Sequence, residues 1–344
     1  MNKSKHFVRN LLIIGLLISA IFASVGYYFL YAPNTSLSEN KSIFIPTGSS
    51  FQDVEKLLVS ENIIKTASTF RTVAGIMRYK QDNVPSGKYN FKTGMSNKAI
   101  ISKLRSGNQD PVDLVINNVR YISDLAGKVS KYLEVDSMTI LNYFNDPGTY
   151  SKFGYTKDDF LSMFIPNTYK LFWTASPEDF VERMSKEHKK YWTPEKIASI
   201  EKNNLTTTSA FILASIVEKE SNYNAEKPRI AGVYLNRLKQ NIKLQADPTV
   251  VYAMGDFTIM RVLHSHLFYE SPFNTYLNYG LPPGPICMPS LQSLEAVINA
   301  ENHEYVYFCA KADNSGAHSF AVSYGEHLKN ADAFARWLNE KNIK

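Results

Sequence analysis

Hydrophobic and polar positions follow two different periods between residues 42 and 107, which indicates a small unit of mixed secondary structure. Alternation of period two indicates strands, and apolar residues at spacings of three and four indicate helices. The predicted order is strand, helix, helix, strand and helix, at residues 42–46, 51–58, 66–78, 87–91 and 97–105. A glycine at 107 ends the last of these helices, so the unit is about 65 residues long.

The remainder of the chain has a mainly helical pattern with aromatic loops. Helices are predicted at residues 121–133, 137–144, 177–191, 194–203, 207–222 and 226–240. Residues 166–169 (PNTY) are predicted to form a turn. Together with the strands of the first unit, this pattern predicts the α+β fold class.

The N-terminus carries one long apolar segment. Residues 11–31 are 21 consecutive residues without a charge, and a helix of about 20 residues crosses a bilayer core. Basic residues precede the segment and tyrosines lie at its far end, which predicts a cytoplasmic tail (1–10), a single-pass anchor (11–31) and an external, periplasmic remainder. A cleaved signal peptide is the alternative, but its apolar region is usually about 7–15 residues long. Residues 32–41 are predicted to be a linker.

Composition excludes some classes of protein. Hydrophobic residues make up 44% and charged residues 20% of the 344 residues, so the chain is not disordered. Without Lys3, Lys5 and Arg9, 35 basic residues face 32 acidic ones. A net charge of +3 and the absence of a recognition motif argue against a nucleic-acid partner. Cys287 and Cys309 are either one disulfide or two buried thiols.

One acidic residue lies on an apolar helix face. Glu220 follows Leu213, Ile216 and Val217 at spacings of seven, four and three residues, which place all four side chains on one face. Burial disfavours the carboxylate and raises its pKa, as a general acid for glycosidic-bond cleavage requires. The alternative is a structural glutamate satisfied by an arginine or a backbone partner.

Two later segments have the composition of a cleft. Residues 280–286 (GLPPGPI) hold three prolines and two glycines, which predicts a rigid wall or a plain structural turn. Asn274, Thr275 and Tyr276 offer donors and acceptors for sugar hydroxyl and acetamido groups. If Asn274 lies on the surface of a cleft, Asn274→Ala should weaken turnover and leave stability nearly unchanged. Pro283→Ala should lower both.

These segments occur in an order that matches a known family. The matching motifs are residues 214–220 (ASIVEKE), 236–237 (NR), 244–250 (LQADPTV), 274–276 (NTY), 280–284 (GLPPG) and 318–320 (HSF). Six ordered motifs over about 110 residues, with an N-terminal anchor before them, resemble the endolytic murein transglycosylases, the MltG or YceG-like family.

The resemblance implies a domain organisation and a set of site residues. It implies a small LysM-like α/β subdomain (42–111), a helical intermediate part (112–206), and a mixed α+β catalytic core (207–344) with a lysozyme-like catalytic helix. Glu220 maps to the catalytic acid. The candidate substrate-binding residues are Ser221, Gln245, Asp247, Asn274, Thr275, Tyr276, Pro283 and His318. No metal and no organic cofactor are implied.

The resemblance also implies a reaction. A lytic transglycosylase cleaves the β-1,4 bond between N-acetylmuramic acid and N-acetylglucosamine, and leaves a 1,6-anhydro end without consuming water. The implied partners are nascent peptidoglycan strands and the cytoplasmic membrane, with peptidoglycan synthases as candidates. A non-catalytic wall-binding or assembly scaffold is the alternative from another class. A buried acid on an apolar stripe favours the enzyme, because a scaffold has little need of it.

Several residues have competing interpretations. Where the family usually has Glu-Gly before a basic residue, this chain has Asn117-Asn118 before Val119-Arg120, and Pro166-Asn-Thr168 replaces Pro-Asp-Thr. Glu218 is predicted to face another surface and to pair with Arg229 or Arg237. His264 and His266 lack a third nearby ligand for zinc. His318 is either the second polar residue of the cleft or a structural histidine.

Overall fold

The computed structural model describes residues 2–79, 84–313 and 315–341. Residue 1 and residues 342–344, at the ends of the predicted tail and catalytic core, lie outside this range. The helices are α1 (Asn2–Tyr31), α2 (Phe51–Ser60), α3 (Ala67–Ile76), α4 (Asn97–Arg105), α5 (Ile122–Val129), α6 (Ser137–Asn145), α7 (Pro147–Lys152), α8 (Pro177–Tyr191), α9 (Pro194–Glu201), α10 (Thr207–Glu220), α11 (Lys227–Lys239), α12 (Asp247–Met254), α13 (Leu291–Ile298) and α14 (Tyr324–Glu340). Short 3-10 helices span Phe160–Met163, Asn224–Glu226 and His264–Phe268.

In the described ranges of the chain, three two-stranded sheets accompany the helices. The strands are β1 (Lys41–Ile45), β2 (Gly87–Phe91), β3 (Val112–Ile116), β4 (Asn167–Leu171), β5 (Tyr307–Ala310) and β6 (His318–Ala321). They pair as β1 with β2, β3 with β4, and β5 with β6. The predicted α+β class is confirmed.

The chain divides into two compact units. The first contains the residues up to Asp113 together with Tyr132–Glu134 and Lys170–Ala175, and the second contains Leu114–Lys131, Val135–Tyr169 and the residues from Ser176 onward.

The first unit has the predicted order of strands and helices. β1 and β2 pair antiparallel from Lys41 opposite Phe91 to Ile45 opposite Gly87. Ser50 accepts a hydrogen bond from the Asp53 amide and so caps α2. Buried side chains from β1, β2 and α2 to α4 form one hydrophobic core. The strands and helices that the two periods predict therefore share one hydrophobic core.

Helix α1 is long and apolar enough to cross a membrane, as predicted, although a signal sequence passes the same test of length and composition. Phe29 and Leu30, near its C-terminal end, pack against the core of the first unit. The Asn97 amide donates to the Phe29 carbonyl at 3.0 Å. The last turns of α1 are thus part of the first unit.

The predicted linker is partly docked on the first unit. Pro33 and Thr35 form β-bridges with Ser96 and Ile64. The side-chain amide of Asn34 donates to Oδ1 of Asn97 at 2.7 Å, with both residues buried. The first residues of the predicted linker are therefore bound to the first unit. The polar groups of this segment form hydrogen bonds to the protein instead of to water.

Helix α10 forms the centre of the second unit. Residues from Ala210 to Val217 are all buried, and the helix packs against α9, α11, α12 and α13. Thr206 and Ser209 form a capping box at its start. The predicted apolar stripe is thus part of a helix that is buried on all sides from Ala210 to Val217, with its charged residues at the C-terminal end.

The turn predicted at residues 166–169 is wrong. Asn167–Leu171 is strand β4, in which Tyr169 and Leu171 are buried and the other residues exposed. This alternation is present in the sequence, but Pro166 and Asn167 suggested a turn. A proline just before a strand does not interrupt its hydrogen bonds.

Candidate active site

Glu220 is the last residue of α10. Ser221 follows it with extended backbone angles (φ −146°, ψ 135°), and its hydroxyl accepts a hydrogen bond from the Tyr223 amide at 3.0 Å. Ser221 therefore ends the helix at this position. Glu220 is half-buried and Lys219 is exposed.

The surroundings of Glu220 favour its protonated form. The Tyr234 hydroxyl, on α11, donates a hydrogen bond to Oε1 of Glu220. Burial raises the pKa of the Glu220 carboxyl from an ordinary value of 4.5 to about 7. The hydrogen bond from Tyr234 opposes this rise and the negative charge of Asp247 adds to it. Glu220 can therefore hold a proton near neutral pH and can also be stabilised once it has released the proton.

Glu218 has the opposite environment. Its Oε2 accepts hydrogen bonds from the Ser290 amide at 3.2 Å, the Ser290 hydroxyl at 2.6 Å and the Ser293 hydroxyl. Lys227 lies 3.2 Å from the same oxygen. Burial opposes ionisation, but these hydrogen bonds and the lysine charge outweigh it and lower the pKa of Glu218. Glu218 is thus an ionised structural group bound to Ser290, the residue that caps α13, and to Ser293 in its first turn.

The predicted partners of Glu218 are wrong. Arg229 pairs instead with Glu301 at 3.0 Å. Arg237 donates to carbonyl oxygens from a buried position. Two carboxyl groups two residues apart therefore have pKa values shifted in opposite directions, and this contrast separates a candidate acid from a structural anion.

An open cleft of about 830 Å³ lies beside Glu220 in the second unit. This volume is in the range of small-ligand sites. Its charged lining residues are Arg120, Lys219, Glu220, Asp247 and Arg261. Its apolar and aromatic lining residues include Val251, Tyr252, Phe257, Ile286, Phe334 and Leu338.

The segment before α12 brings Asp247 into this cleft. The Thr275 hydroxyl accepts a hydrogen bond from the Ala246 amide at 3.0 Å and lies 2.8 Å from the Thr249 hydroxyl. The Gln245 amide donates to the Thr275 carbonyl at 3.1 Å. Thr275 is buried, so it holds the segment in place and does not line the cleft.

Gln245 has a left-handed backbone (φ 51°), which is uncommon outside glycine. Its Oε1 accepts a hydrogen bond from Nη1 of Arg237 at 3.2 Å. Arg237 Nη1 also donates to the carbonyls of Lys243 at 3.1 Å and Leu244 at 2.9 Å. Arg237 thus fixes the chain immediately before Asp247.

Asn274 and Tyr276 differ in exposure. Asn274 is fully buried, and its amide nitrogen donates to the carbonyls of Leu267 at 3.0 Å and Tyr269 at 2.8 Å. Its Oδ1 accepts from the Tyr276 amide at 2.9 Å. The Tyr276 hydroxyl donates to Oδ1 of Asp247 at 2.6 Å. Asn274 therefore positions Tyr276, which in turn holds a carboxylate of the cleft.

This burial overturns the expectation that Asn274→Ala leaves stability nearly unchanged. The substitution leaves two carbonyls and one amide without partners, so we expect a loss of about 2 kcal/mol or more of unfolding free energy, measured by urea denaturation. Asn278→Ala is the matched control. Asn278 also donates to two carbonyls, but it is exposed, so the cost should stay within about 0.5 kcal/mol. Equal stability of both variants would contradict this assignment.

The proline-rich loop leads back to α10. A Cβ atom at Gly284 would lie 1.9 Å from the Asp158 carbonyl oxygen, so only glycine fits there. The Ile286 amide donates to the buried Ser215 hydroxyl of α10 at 3.0 Å, and Ile286 lines the cleft. Pro283 is exposed and is not among the residues that line the cleft. The wall is therefore formed by the end of the loop.

His318 has a structural environment. Its Nδ1 lies 3.1 Å from Oε2 of Glu226, and its ring meets Phe308 edge-on. Its backbone amide also donates to Glu226. His318 does not line the cleft, so the structure favours the second of its two interpretations.

Cys287 and Cys309 do not form a disulfide, and in the described residues His264 and His266 belong to no cluster of metal ligands. Cys287 and Cys309 are both free thiols, and burial raises the pKa of Cys287 to about 12. Nδ1 of His266 accepts a hydrogen bond from the Leu263 amide at 3.2 Å. Across the described ranges 2–79, 84–313 and 315–341, no three potential metal ligands cluster.

Four residues of this region have a role in the site that the sequence did not indicate. Tyr234 and Arg237 are spaced 14 and 17 residues after Glu220, and Arg120 and Phe257 lie in other segments. Arg237 was part of a recognised motif, whereas a tyrosine in an apolar helix has no distinguishing signal. Only the packing of α10 against α11 brings Tyr234 to the carboxyl group.

Comparison with known proteins gives consistent matches over nearly the whole chain. The model of the YceG-like family matches residues 43–333. The endolytic murein transglycosylase of Bacillus subtilis (strain 168) is 31% identical in an alignment of 340 positions that covers 92% of this chain and 92% of its own length. The endolytic murein transglycosylase of Streptococcus pneumoniae serotype 2 (strain D39) is 25% identical over 98% of this chain and 66% of its own length.

A solved structure agrees with these matches. The crystal structure of the yceG-like protein lmo1499 from Listeria monocytogenes aligns with a TM-score of 0.56 and 28% identity, over 85% of this chain and 99% of that one. These comparisons confirm the family predicted from the motifs, and the names of the relatives agree with the predicted enzyme class. The chain belongs to the YceG-like family.

Proposed function

We propose that this protein is a membrane-anchored endolytic lytic transglycosylase that cuts nascent peptidoglycan strands and thereby ends their elongation. The observation that carries the proposal is Glu220, a carboxyl group with a pKa of about 7 at the edge of an open cleft. The names of the relatives support the substrate class.

Glu220 acts first as an acid and then as a base. Its proton passes to the glycosidic oxygen as the bond from that oxygen to C1 of N-acetylmuramic acid breaks. The resulting carboxylate takes the proton of the C6 hydroxyl of the same sugar, and O6 bonds to C1. The ring closes to the 1,6-anhydro product, Glu220 is protonated again, and no water is consumed. The hydrogen bond from Tyr234 stabilises the intermediate carboxylate.

Asp247 is the second carboxylate of the cleft. The Tyr276 hydroxyl donates a hydrogen bond to its Oδ1 at 2.6 Å. The negative charge of Asp247 stabilises the positive charge that develops at C1. In hydrolytic glycosidases a second carboxylate acts as nucleophile or as base for water. Its presence makes hydrolysis the specific competing reaction that the test has to exclude.

The proposed membrane topology and domain bounds are those that the sequence predicts. We propose that residues 1–10 lie in the cytoplasm, that the anchor of residues 11–31 crosses the inner membrane and ends at its outer side, where Phe29 and Leu30 pack on the first unit, and that the remainder lies outside. Residues 42–111 would form a LysM-like subdomain that holds glycan, 112–206 an intermediate part, and 207–344 the catalytic core with its lysozyme-like helix. The length and apolar composition of α1 support the anchor. Peptidoglycan synthases are the proposed partners, since they supply the nascent strand.

The test is a digest of long, uncross-linked glycan strands by the full chain in detergent, read by mass spectrometry over time. We expect internal cuts whose new ends are lighter by about 18 mass units than hydrolytic ends, because the anhydro product lacks one water. Ends of hydrolytic mass would assign Asp247 to water activation and reject the lytic reaction. Anhydro-disaccharide in the first minutes would indicate an exolytic enzyme, and no cleavage at all would favour the scaffold.

A further inference from the structure

The cleft beside Glu220 is rich in positive charge. Arg120, Lys219 and Arg261 line it together with two acids, Glu220 and Asp247. When Glu220 is protonated, three cationic groups face one carboxylate. A neutral sugar chain needs no such excess, and it is typical of a site for an anionic ligand.

Arg120 is the cation whose position is best fixed. The backbone amide of Arg120 donates to Oδ2 of Asp124 at 3.2 Å. The carbonyl of the preceding Val119 accepts a hydrogen bond from the Met288 amide at 2.7 Å. The Arg120 guanidinium lies over the ring of Phe257, with its central carbon 3.4 Å from the ring centroid. Its backbone is held from two sides, and its side chain is stacked on an aromatic face.

Within the described part of the chain, the guanidinium of Arg120 has no protein carboxylate to pair with. Among the residues that the structure describes, it forms no ion pair and no hydrogen bond. Arg183 and Arg229, in the same unit, pair with Glu187 at 2.8 Å and Glu301 at 3.0 Å. A half-buried arginine stacked on one face keeps the donors along its edge available, and these fit a carboxylate in bidentate geometry.

We propose that Arg120, supported by Phe257, binds a carboxylate carried by the N-acetylmuramic acid residues of the strand. The proposal rests on the proposed function, because it assumes that this cleft holds peptidoglycan. It makes the side group of the muramic acid part of what the enzyme recognises. The enzyme would then recognise the negative charge of the strand as well as its sugar rings.

Two sources can supply this carboxylate. An uncross-linked peptide stem ends in a free carboxylate, and a strand stripped of its peptides by an amidase carries a free lactyl carboxylate. Both present the same chemistry at different distances from the sugar ring. Stem-bearing strands and stripped strands therefore have to be compared, each with and without conversion of the carboxylates to amides by carbodiimide and ammonia.

The experiment measures kcat/KM of the full chain in detergent on these four strands. We expect amidation of at least one strand type to lower kcat/KM by about tenfold to about a hundredfold, the range for a hydrogen bond to a charged group. The strand type that responds identifies the source. The ratio between carboxylate and amide strands should fall at high salt.

Variants assign this preference to Arg120. Arg120→Met should bring the ratio between carboxylate and amide strands close to one, and Arg120→Lys should leave an intermediate ratio, because lysine keeps the charge but loses the planar donors. Phe257→Leu should also reduce the ratio. Arg183→Met, an exposed arginine of the same unit, is the matched control and should keep it.

The outcomes separate this inference from the proposed function. If the wild type cuts amidated and untreated strands equally well, the carboxylate site is rejected, whereas the proposed transglycosylase function is retained. A ratio unchanged in both Arg120 variants, with the wild type still selective, assigns the preference to another cation and also rejects the site. If none of the four strands is cut, both proposals fail. The wild-type comparison does not depend on whether a variant folds.

Discussion

Glu220→Gln is expected to fold and to lose essentially all cleavage of glycan strands. The amide keeps the shape of the side chain and can still accept the hydrogen bond from Tyr234, but it cannot donate a proton to the leaving oxygen. The measurement is product formation from long strands at pH 6.5, with folding checked by circular dichroism. Glu218→Gln is the paired variant. It should retain cleavage and lose stability, because it removes an anion bound by Ser290, Ser293 and Lys227.

The opposite result would identify the other carboxyl group. Cleavage retained in Glu220→Gln and lost in Glu218→Gln would contradict the assignment of the acid. The pH profile gives an independent check. Because a general acid must be protonated, turnover should decline as the pH rises through about 7, the pKa of Glu220.

The same pKa has a consequence for stability. The folded protein holds the Glu220 proton up to about pH 7, whereas the unfolded chain releases it near 4.5. The folded state therefore binds more protons between these values, and the wild type loses stability over this range as pH rises. Glu220→Gln lacks this loss. We expect it to be more stable than the wild type by about 3 kcal/mol at pH 8, with little difference below pH 4.5, in urea denaturation.

Arg237→Met is expected to cause the largest loss of stability in the region of the site. Arg237 is buried and donates to the carbonyls of Val306 at 2.6 Å and Leu244 at 2.9 Å, among other acceptors. Methionine fills much of the volume but leaves these oxygens without donors. We expect a cost of about 3–5 kcal/mol, seen as a lower Tm. Turnover should fall too, because the segment before Asp247 loses its anchor.

Arg229→Met controls for the loss of an arginine on the same helix. Arg229 and Glu301 are both about 40% exposed, so their ion pair should contribute at most about 1 kcal/mol. Equal melting temperatures for the two variants would show that Arg237 does not hold this part of the fold.

Part of the fold could be predicted because its signals are local. Helix α2 depends on Ser50 and Asp53, which are three residues apart, and α10 on the cap formed by Thr206 and Ser209. Glu220 was found from apolar neighbours within seven residues. Strand β4 was missed because the same local residues, Pro166 and Asn167, are also typical of a turn.

The candidate site could be predicted only in part. Asn274 and Thr275 were assigned to the cleft from their polar groups, yet both are buried and make hydrogen bonds within the protein. Composition does not reveal whether a polar side chain faces a ligand or another segment. The partner of Asn274 is its own loop, whereas that of Thr275 is 26 residues away at Thr249.

The sequence alone determined the anchor-like helix, the α+β class, the family and the candidate acid, because each depends on a run, a period or a motif of neighbouring residues. Only the tertiary structure decided which of the two glutamates can hold a proton near neutral pH and what surrounds it. Tyr234 and Asp247 reach Glu220 from α11 and α12, and Arg120 reaches the cleft from a hundred residues earlier in the chain. A pKa depends on burial and on charges close in space. The packing of distant segments sets both the burial and the nearby charges, so neither can be predicted from a local sequence pattern.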